Sequence, residues 1–331
     1  MKSKMLAIDG YDRLLRCSSS SECMAILREE GYFGTLATAG ELVDPASWQS
    51  LFDARLVTIV HKLTNLSPND CAQLLTTFEV QCRLELLKSG LRLMVTQREG
   101  KPPDSLPPEL SRDLLRGTLK TRSVERLVEA SEAMELYGEI SSALAEKKPI
   151  PLLETMVDKY VLTRMWKATD MPDWVDKQSV QTLVGERIDA INLLAVTRSK
   201  TLGISGDEIQ ESLVPVNYRL GDALLEAAKS GSATTALRAF TKTTYADPVE
   251  RFVETYKEGD TLHPLDVSLQ RRHAASCLSA FSGFPFCAGL PIAFAYLVWY
   301  ELSDLRTIVS GKHDGVPTEK IEPFLVLQKA L

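Results

Sequence analysis

Between Ala274 and Tyr300 the chain carries no Asp, Glu, Lys or Arg. A bilayer span needs about 20 apolar residues in one continuous helix. Here Gly283, Pro285, Gly289 and Pro291 interrupt the uncharged window, and the unbroken apolar run after Pro291 is only IAFAYLVWY. Glu301, Asp304 and Arg306 then follow in the same helical register. The stretch is therefore expected to be a proline-initiated helix, from about Pro291 to Ser310, and not a membrane span. Its first half is apolar nearly all round, so that half belongs inside protein.

The end of this helix has relatives upstream. DLRTIVSGKHDGVPTEKIEPFL (Asp304–Leu325) aligns without a gap on NLLAVTRSKTLGISGDEIQESL (Asn192–Leu213). Lys200 matches Lys312, Gly203 matches Gly315, Ile209 matches Ile321 and Leu213 matches Leu325. A weaker third copy is SGLRLMVTQREGKPPDSLPPEL (Ser89–Leu110), with Gly100, Leu106 and Leu110 at the same offsets. Each copy reads as a long helix ended by a left-handed glycine, a short polar turn, and a second helix opening with an apolar pair four apart. Pro-led helix starts precede two of the glycines, PLLETMVDKY and PLDVSLQRRH, with SWQSLFDARLVTIV as the counterpart in the first copy. Similar short-helix pairs open each unit: SSECMAILREEGYFGTL, SVERLVEASEAMELYGEI and SATTALRAFTKTTYADPV. Serine with Glu close behind signals a helix start in two of them.

Three units of about 110 residues account for the chain. Their expected bounds are 1–115, 116–228 and 229–331, with linkers near Arg112–Arg122 and Lys229–Thr235. Alternating runs of strand length with hairpin turns are missing. Leu153, Met156, Tyr160 and Met165 instead fall on one helix face. The expected class is all-α, three pseudo-symmetric helical bundles.

Composition excludes several functions. The 331 residues are 44% hydrophobic and 25% charged, as in ordinary globular chains. A net charge of −6 with both signs dispersed leaves no basic stripe for nucleic acid. The two early lysines precede no long apolar core, so the start reads as a helix and not as a signal peptide. Cys17, Cys23, Cys71, Cys82, Cys277 and Cys287 show no CxxC spacing and are expected to be free, mostly buried thiols. Phosphate-loop, dinucleotide, zincin and nucleophile-elbow motifs are missing. The histidines His61, His263, His273 and His313 are scattered; His313 is expected in a solvated turn and His273 at a helix surface or boundary. Glu154/Asp158 and Glu301/Asp304 could suggest acid–base chemistry. On helices such pairs more often meet a neighbouring Arg or Lys. Asp304 and Arg306, two apart, do not face each other on a helix and should reach different partners. No catalytic residue, cofactor or metal site is expected.

One pattern resembles a known family. Pro285-Phe286, Pro291, Ala295-Tyr296, Glu301, Asp304-Leu305-Arg306, Ile308, Gly311-Lys312 and Gly315-Val316-Pro317 are similar to the C subunit of archaeal-type rotary ATPases, a relative of the vacuolar d subunit. The last forty-odd residues carry this; the remainder agrees in length, helicity and threefold repetition. The chain departs from the family in having Asp304 where Asn is usual before Leu-Arg, while Asn192-Leu193 keeps the Asn but continues with Leu194. The resemblance implies a funnel of three helical domains. It implies a non-catalytic rotor part, seated between the central-shaft subunits and the membrane proteolipid ring, peripheral on the cytoplasmic face. Pro285, Phe286, Pro291, Tyr296, Glu301, Asp304, Arg306, Lys312 and Gly315 would then be structural or interface residues. The alternative is a general helical repeat scaffold binding another protein, although such repeats usually run about 20–50 residues.

Overall fold

The structure of the protein, a computed structural model, describes residues 5–33, 45–96, 123–171, 177–283 and 287–331. Every regular element among the described residues is helical. Short helices α1 (Ile8–Arg16) and α2 (Ser20–Glu29) precede long helices α3 (Pro45–Leu66) and α4 (Asn69–Thr96). Short helices α5 (Val124–Ala130) and α6 (Tyr137–Ala145) precede long helices α7 (Ile150–Lys167) and α8 (Lys177–Thr201), and a one-turn-plus helix α9 (Gly206–Ser212) follows. Three short helices, α10 (Ala223–Lys229), α11 (Ala233–Phe240) and α12 (Ala246–Val253), precede long helices α13 (His263–Ala280) and α14 (Gly289–His313), and α15 (Thr318–Ile321) follows.

The short helices start where the sequence supplies serine caps. The side chains of Ser19, Ser123 and Ser232 accept from the backbone N–H groups of Glu22, Arg126 and Thr235. Each such cap stabilises its helix by about 1 kcal/mol. The third cap has no Glu behind it, so the serine alone marks that start.

The long helices close on themselves. Helix α3 packs on α4, α4 on α7, α7 on α8, α8 on α13, α13 on α14, and α14 returns to α3. Helix α14 also touches α4 and α8. The short helices follow the same cycle one step out of phase. Helix α5 sits on α4, α11 on α8, and α2 on α14, so each opening pair lies on the last long helix of the preceding group. Two apolar cores result. One spans α1 to α8, one side of α13, and α14; the other joins the second half of α8 to α9–α13.

Helix α14 begins two residues before Pro291 and ends three after Ser310. Proline is accepted there because it lies in the first turn, where its missing N–H has no intrahelical partner to lose. The end of the helix at His313 lies two residues before Gly315, the glycine that the repeat marks as its stop. No described helix is long and apolar enough to cross a membrane. Both described cap glycines are left-handed, Gly203 at φ +70° and Gly315 at φ +67°. Ile204 N–H bonds Ser199 O at 3.1 Å and Val316 N–H bonds Gly311 O at 2.7 Å, the six-to-one bond of a Schellman end. Gly100, Leu106, Leu110 and the Arg112–Arg122 linker lie outside the described residues. The apolar pairs Ile209/Leu213 and Ile321/Leu325 are buried.

Two details differ from expectation. On α7, Leu153 and Met165 are buried, but Met156 and Tyr160 are only half so, while Val157, Val161 and Leu162 are buried as well. The helix touches α4, α8 and α9, and contacts on several sides bury more than one stripe. His273 is not at a surface or boundary; only 2% of it is exposed. It bridges three long helices, with Nε2 at 2.8 Å from Leu183 O and Nδ1 at 2.8 Å from the Tyr300 hydroxyl. A carbonyl only accepts, so Nε2 carries the proton and Nδ1 accepts from Tyr300. Burial pushes the His273 pKa down to about 3, with the Arg187 charge adding and the Leu183 bond opposing. The imidazole stays neutral as a polar rivet within the core.

Candidate functional site

Most of the family-pattern residues lie on α14, which makes this helix the place to test them. Pro285 and Phe286 lie outside the described residues. Pro291 occupies the first turn. Tyr296 is buried, edge-on to Phe78 with centroids 5.0 Å apart and to His273 at 4.7 Å. Such aromatic contacts add about 0.5–1.5 kcal/mol beyond area burial. Lys312 Nζ donates to Leu15 O at 2.6 Å and to Thr318 Oγ1 at 2.8 Å. It thereby satisfies a carbonyl in the last turn of α1, which the helix itself leaves open. Gly315 supplies the left-handed end.

Glu301 and Asp304 are both buried, one helical turn apart, and each is a seat for backbone. Asp304 accepts three N–H groups, from Val326 at 2.6 Å, Leu327 at 2.8 Å and Gln328 at 3.0 Å. Burial pushes its pKa up to about 6, against the pull of those three donors and of Arg271. Glu301 accepts from the Leu6 N–H and from the Tyr32 hydroxyl. Burial pushes it up to about 7, while Tyr32, the Leu6 N–H and Arg55 pull it down and Asp304 raises it. Arg55 closes the cluster, its guanidinium 3.6 Å from the Tyr32 ring centroid and donating to Tyr32 O. Arg306 points elsewhere, as its two-residue offset requires, and pairs with Asp53 of α3.

Helix α8 repeats the device 112 residues earlier. Asn192 stands at the Asp304 offset and Asp189 at the Glu301 offset. Asn192 Oδ1 accepts from Val214 N–H at 3.0 Å, and Nδ2 donates to Val214 O and Val216 O, both at 3.1 Å. Asp189 accepts from Tyr218 N–H at 3.0 Å, Arg219 N–H at 2.7 Å and the Tyr245 hydroxyl at 3.0 Å. Burial pushes Asp189 up to about 6, opposed by those same donors and raised further by Glu186. Tyr245 lies 13 residues after its serine cap Ser232, as Tyr32 lies 13 after Ser19; the same offset from Ser123 reaches Leu136, which is buried without a hydroxyl. Motif reading along the chain does not single out Asp189, Tyr245, Leu6 or Asp53. A signal for Asp189 exists, since extending the gapless alignment three residues upstream pairs it with Glu301.

Charges between α4 and α7 are structural too. Lys88 Nζ bonds Asp158 at 2.8 Å and Glu85 at 2.7 Å. Burial alone would push Lys88 down, but those two carboxylates outweigh it and hold the ammonium above its ordinary range. Glu154 pairs with Arg92 and, at 3.6 Å, with Arg198. The carboxylates whose spacing invites an acid–base reading are thus all engaged. A groove of about 690 Å³ beside Lys159, Glu211, Pro215 and Leu225, and another of about 390 Å³ beside Arg198, Asp260, His263 and Asp266, contain neither Glu301 nor Asp304. Among the described residues no group of three or more His, Cys, Asp or Glu could hold a metal. The six cysteines are free, four of them buried.

This arrangement is a device for holding helices in a ring, and comparison with known proteins gives it a class. Residues 1–324 match the model of the ATP synthase (C/AC39) subunit family. The chain belongs to that family. A protein of Methanosphaera stadtmanae, named as the C subunit of an A-type ATP synthase, is 23% identical over 302 residues, covering 86% of this chain and 76% of that protein. One of the same name from Methanococcoides burtonii is 21% identical over 331 residues, covering 99% and 91%. A third from Methanobrevibacter smithii is 24% identical over 217 residues, 64% of this chain; there the match spans just over half of the relative, 56%.

Proposed function

We propose that the protein is a non-catalytic part of an A/V-type rotary ATPase that couples shaft to ring. In this reading it links the central-shaft subunits to the membrane proteolipid ring, in ion-coupled ATP synthesis or hydrolysis. The observation that supports it most is the family match across nearly the whole chain, joined to relatives named as C subunits of A-type ATP synthases. The fold suits the task physically. A ring of long helices closed at every contact, with polar rivets inside, resists shear and transmits torque as a body. Units of residues 1–115, 116–228 and 229–331 would form the three parts of a funnel, the last boundary falling at the end of α10. The protein would sit peripherally on the cytoplasmic face, attached through its partners. Neither nucleic acid nor a cofactor enters this role.

The test is reconstitution. A membrane sector is prepared with and without this protein, the catalytic head and shaft are added, and ATP-driven ion pumping is measured. The expected result is pumping only with the protein present, while ATP hydrolysis by the detached head is unchanged. Equal pumping in both preparations refutes the coupling role and leaves a general helical scaffold as the better account.

A further inference from the structure

Within a group the long helices are joined by short connections, Ser67 and Pro68 alone between α3 and α4. Between groups the chain takes a longer way round. Residues 97–149, with the short-helix arm α5–α6, separate α4 from α7, and residues 202–262, with the arm α10–α12, separate α8 from α13. A two-residue turn fixes how two helices lie along each other, and a connection of the second kind does not. Apolar packing does not fix it at the α4–α7 junction either. Leu84, Leu87 and Leu91 of α4 and Val157, Val161 and Leu162 of α7 are all buried. A slide by one turn sets branched apolar side chains against their like again, and the hydrophobic effect has no direction.

Two ion pairs remove that ambiguity. Lys88 Nζ bonds Asp158 at 2.8 Å, and Arg92 pairs with Glu154. Numbers rise along α4 as they fall along α7, so the two helices run antiparallel here with both cations on α4. Lys88 is buried, and the Asp158 side chain is only 16% exposed. Residues four apart share a helix face, so Leu84, Lys88 and Arg92 form one row and Glu154, Asp158 and Leu162 the facing one. A one-turn slide in one sense brings Arg92 to Asp158 but leaves Lys88 against Leu162. In the other sense it brings Lys88 to Glu154 but leaves Asp158 against Leu84. Either slide buries a charge without its partner, which is strongly unfavourable.

We propose that Lys88, Arg92, Glu154 and Asp158 are a register key, positioning residues that hold the first helix group against the second in one axial alignment so that torque crosses the α4–α7 junction without slip. The torque role rests on the coupling function proposed above; the key itself rests on the contacts alone. The other junctions between groups carry ties of different chemistry, His273 to Leu183 O across α8 and α13, and Arg306 to Asp53 across α14 and α3. A buried ion pair replaced by apolar residues of similar volume often leaves stability unchanged or higher, while the specification of one arrangement is lost. Stability and register are therefore separable by experiment.

Spin labels on non-natural residues at exposed Gln73 of α4 and exposed Lys167 of α7 leave the native cysteines untouched. Pulsed electron resonance on the full chain then reads the distance between the two helices. The unaltered protein should show one distance. An apolar variant, Lys88→Met, Arg92→Met, Glu154→Leu and Asp158→Leu together, should add a second population displaced by about 5 Å, one helical turn, with no fall in its urea midpoint. Lys88→Glu with Asp158→Lys should keep the single distance, because a slide would then oppose Arg92 to the introduced lysine, or Glu154 to the introduced glutamate. One unchanged distance in the apolar variant overturns the key, as does a second population in the exchanged pair. If the fourfold variant does not fold, Lys88→Met with Asp158→Leu takes its place and the same two outcomes decide. In the reconstituted membrane sector the apolar variant should pump fewer ions per ATP hydrolysed. Displaced distances with unchanged pumping per ATP overturn the torque role and leave the key standing. Absence of pumping with the unaltered protein overturns the coupling function, and the distances still decide the key.

Discussion

Asp304→Ala should detach or strain the end of the chain, and its cost can be worked from three bonds. The carboxylate takes N–H groups from Val326, Leu327 and Gln328 at 2.6–3.0 Å. The first two bonds are buried and the third partly so. Each buried donor left without a partner costs about 1–3 kcal/mol. Two of them give about 2–6 kcal/mol if the segment stays in place. Undocking of Leu325–Leu327, all buried, caps the loss, because the chain takes whichever route is cheaper. Asp304→Asn should cost less. Its one oxygen can serve Val326, but its amide N–H₂ then faces two further donors. The reciprocal Asn192→Asp should also cost, since Nδ2 there serves two carbonyls that a carboxylate would repel. Urea unfolding gives the free energies, and exchange of residues 325–331 reports local detachment. An Asp304→Ala midpoint equal to that of the unaltered protein refutes the seat, and an Asp304→Asn variant worse than Ala refutes the assignment of donors.

Further outcomes follow from the other contacts. Gly315→Val forces a Cβ residue to φ +67° and should lower stability by about 1 kcal/mol or more, read as a drop in thermal midpoint. Lys88→Met leaves the Asp158 carboxylate largely buried without its cation and should cost about 3 kcal/mol by urea unfolding; adding Asp158→Leu should recover much of it. Glu301 makes stability depend on pH. Its folded pKa, raised by burial to about 7, exceeds the ordinary value of 4.5, so the folded state binds the proton more tightly. That contribution is full below pH 4.5 and is lost as pH rises through about 7. Thermal midpoints between pH 4.5 and about 8 should therefore fall more steeply in the unaltered protein than in Glu301→Gln, and parallel curves would exclude the effect.

Much of this fold is legible in the sequence because it rests on local rules. The left-handed glycines, serine caps and apolar pairs act within a turn or two, and Gly203, Gly315, Ser123 and Ser232 are where those rules put them. His273 is misread because a polar side chain argues for solvent only until its partners are known. Its neighbours Arg271 and Arg272 suggest a surface, and nothing local announces Leu183 O and Tyr300 waiting across the core. Helix geometry correctly separates Asp304 from Arg306, yet it cannot name Asp53, because an ion pair 253 residues apart in sequence leaves no mark on spacing.

The out-of-phase arms explain why the repeat is clear at the ends of the long helices and faint at the short ones. A cap and the turn after it are solved within one segment, so Asn192–Leu213 and Asp304–Leu325 keep register over 22 residues. An arm must fit the helix of the preceding group, and that helix differs each time. Tyr32 and Tyr245 keep their hydroxyls because Glu301 and Asp189 await them; Leu136 lies in an apolar core and needs none. The seats obey the same logic. Asn192 must serve two carbonyls as well as an N–H, whereas the three backbone bonds of Asp304 all come from N–H groups, so each side chain matches the polarity of the backbone it holds. Divergence between the copies thus follows the polarity of what each copy holds.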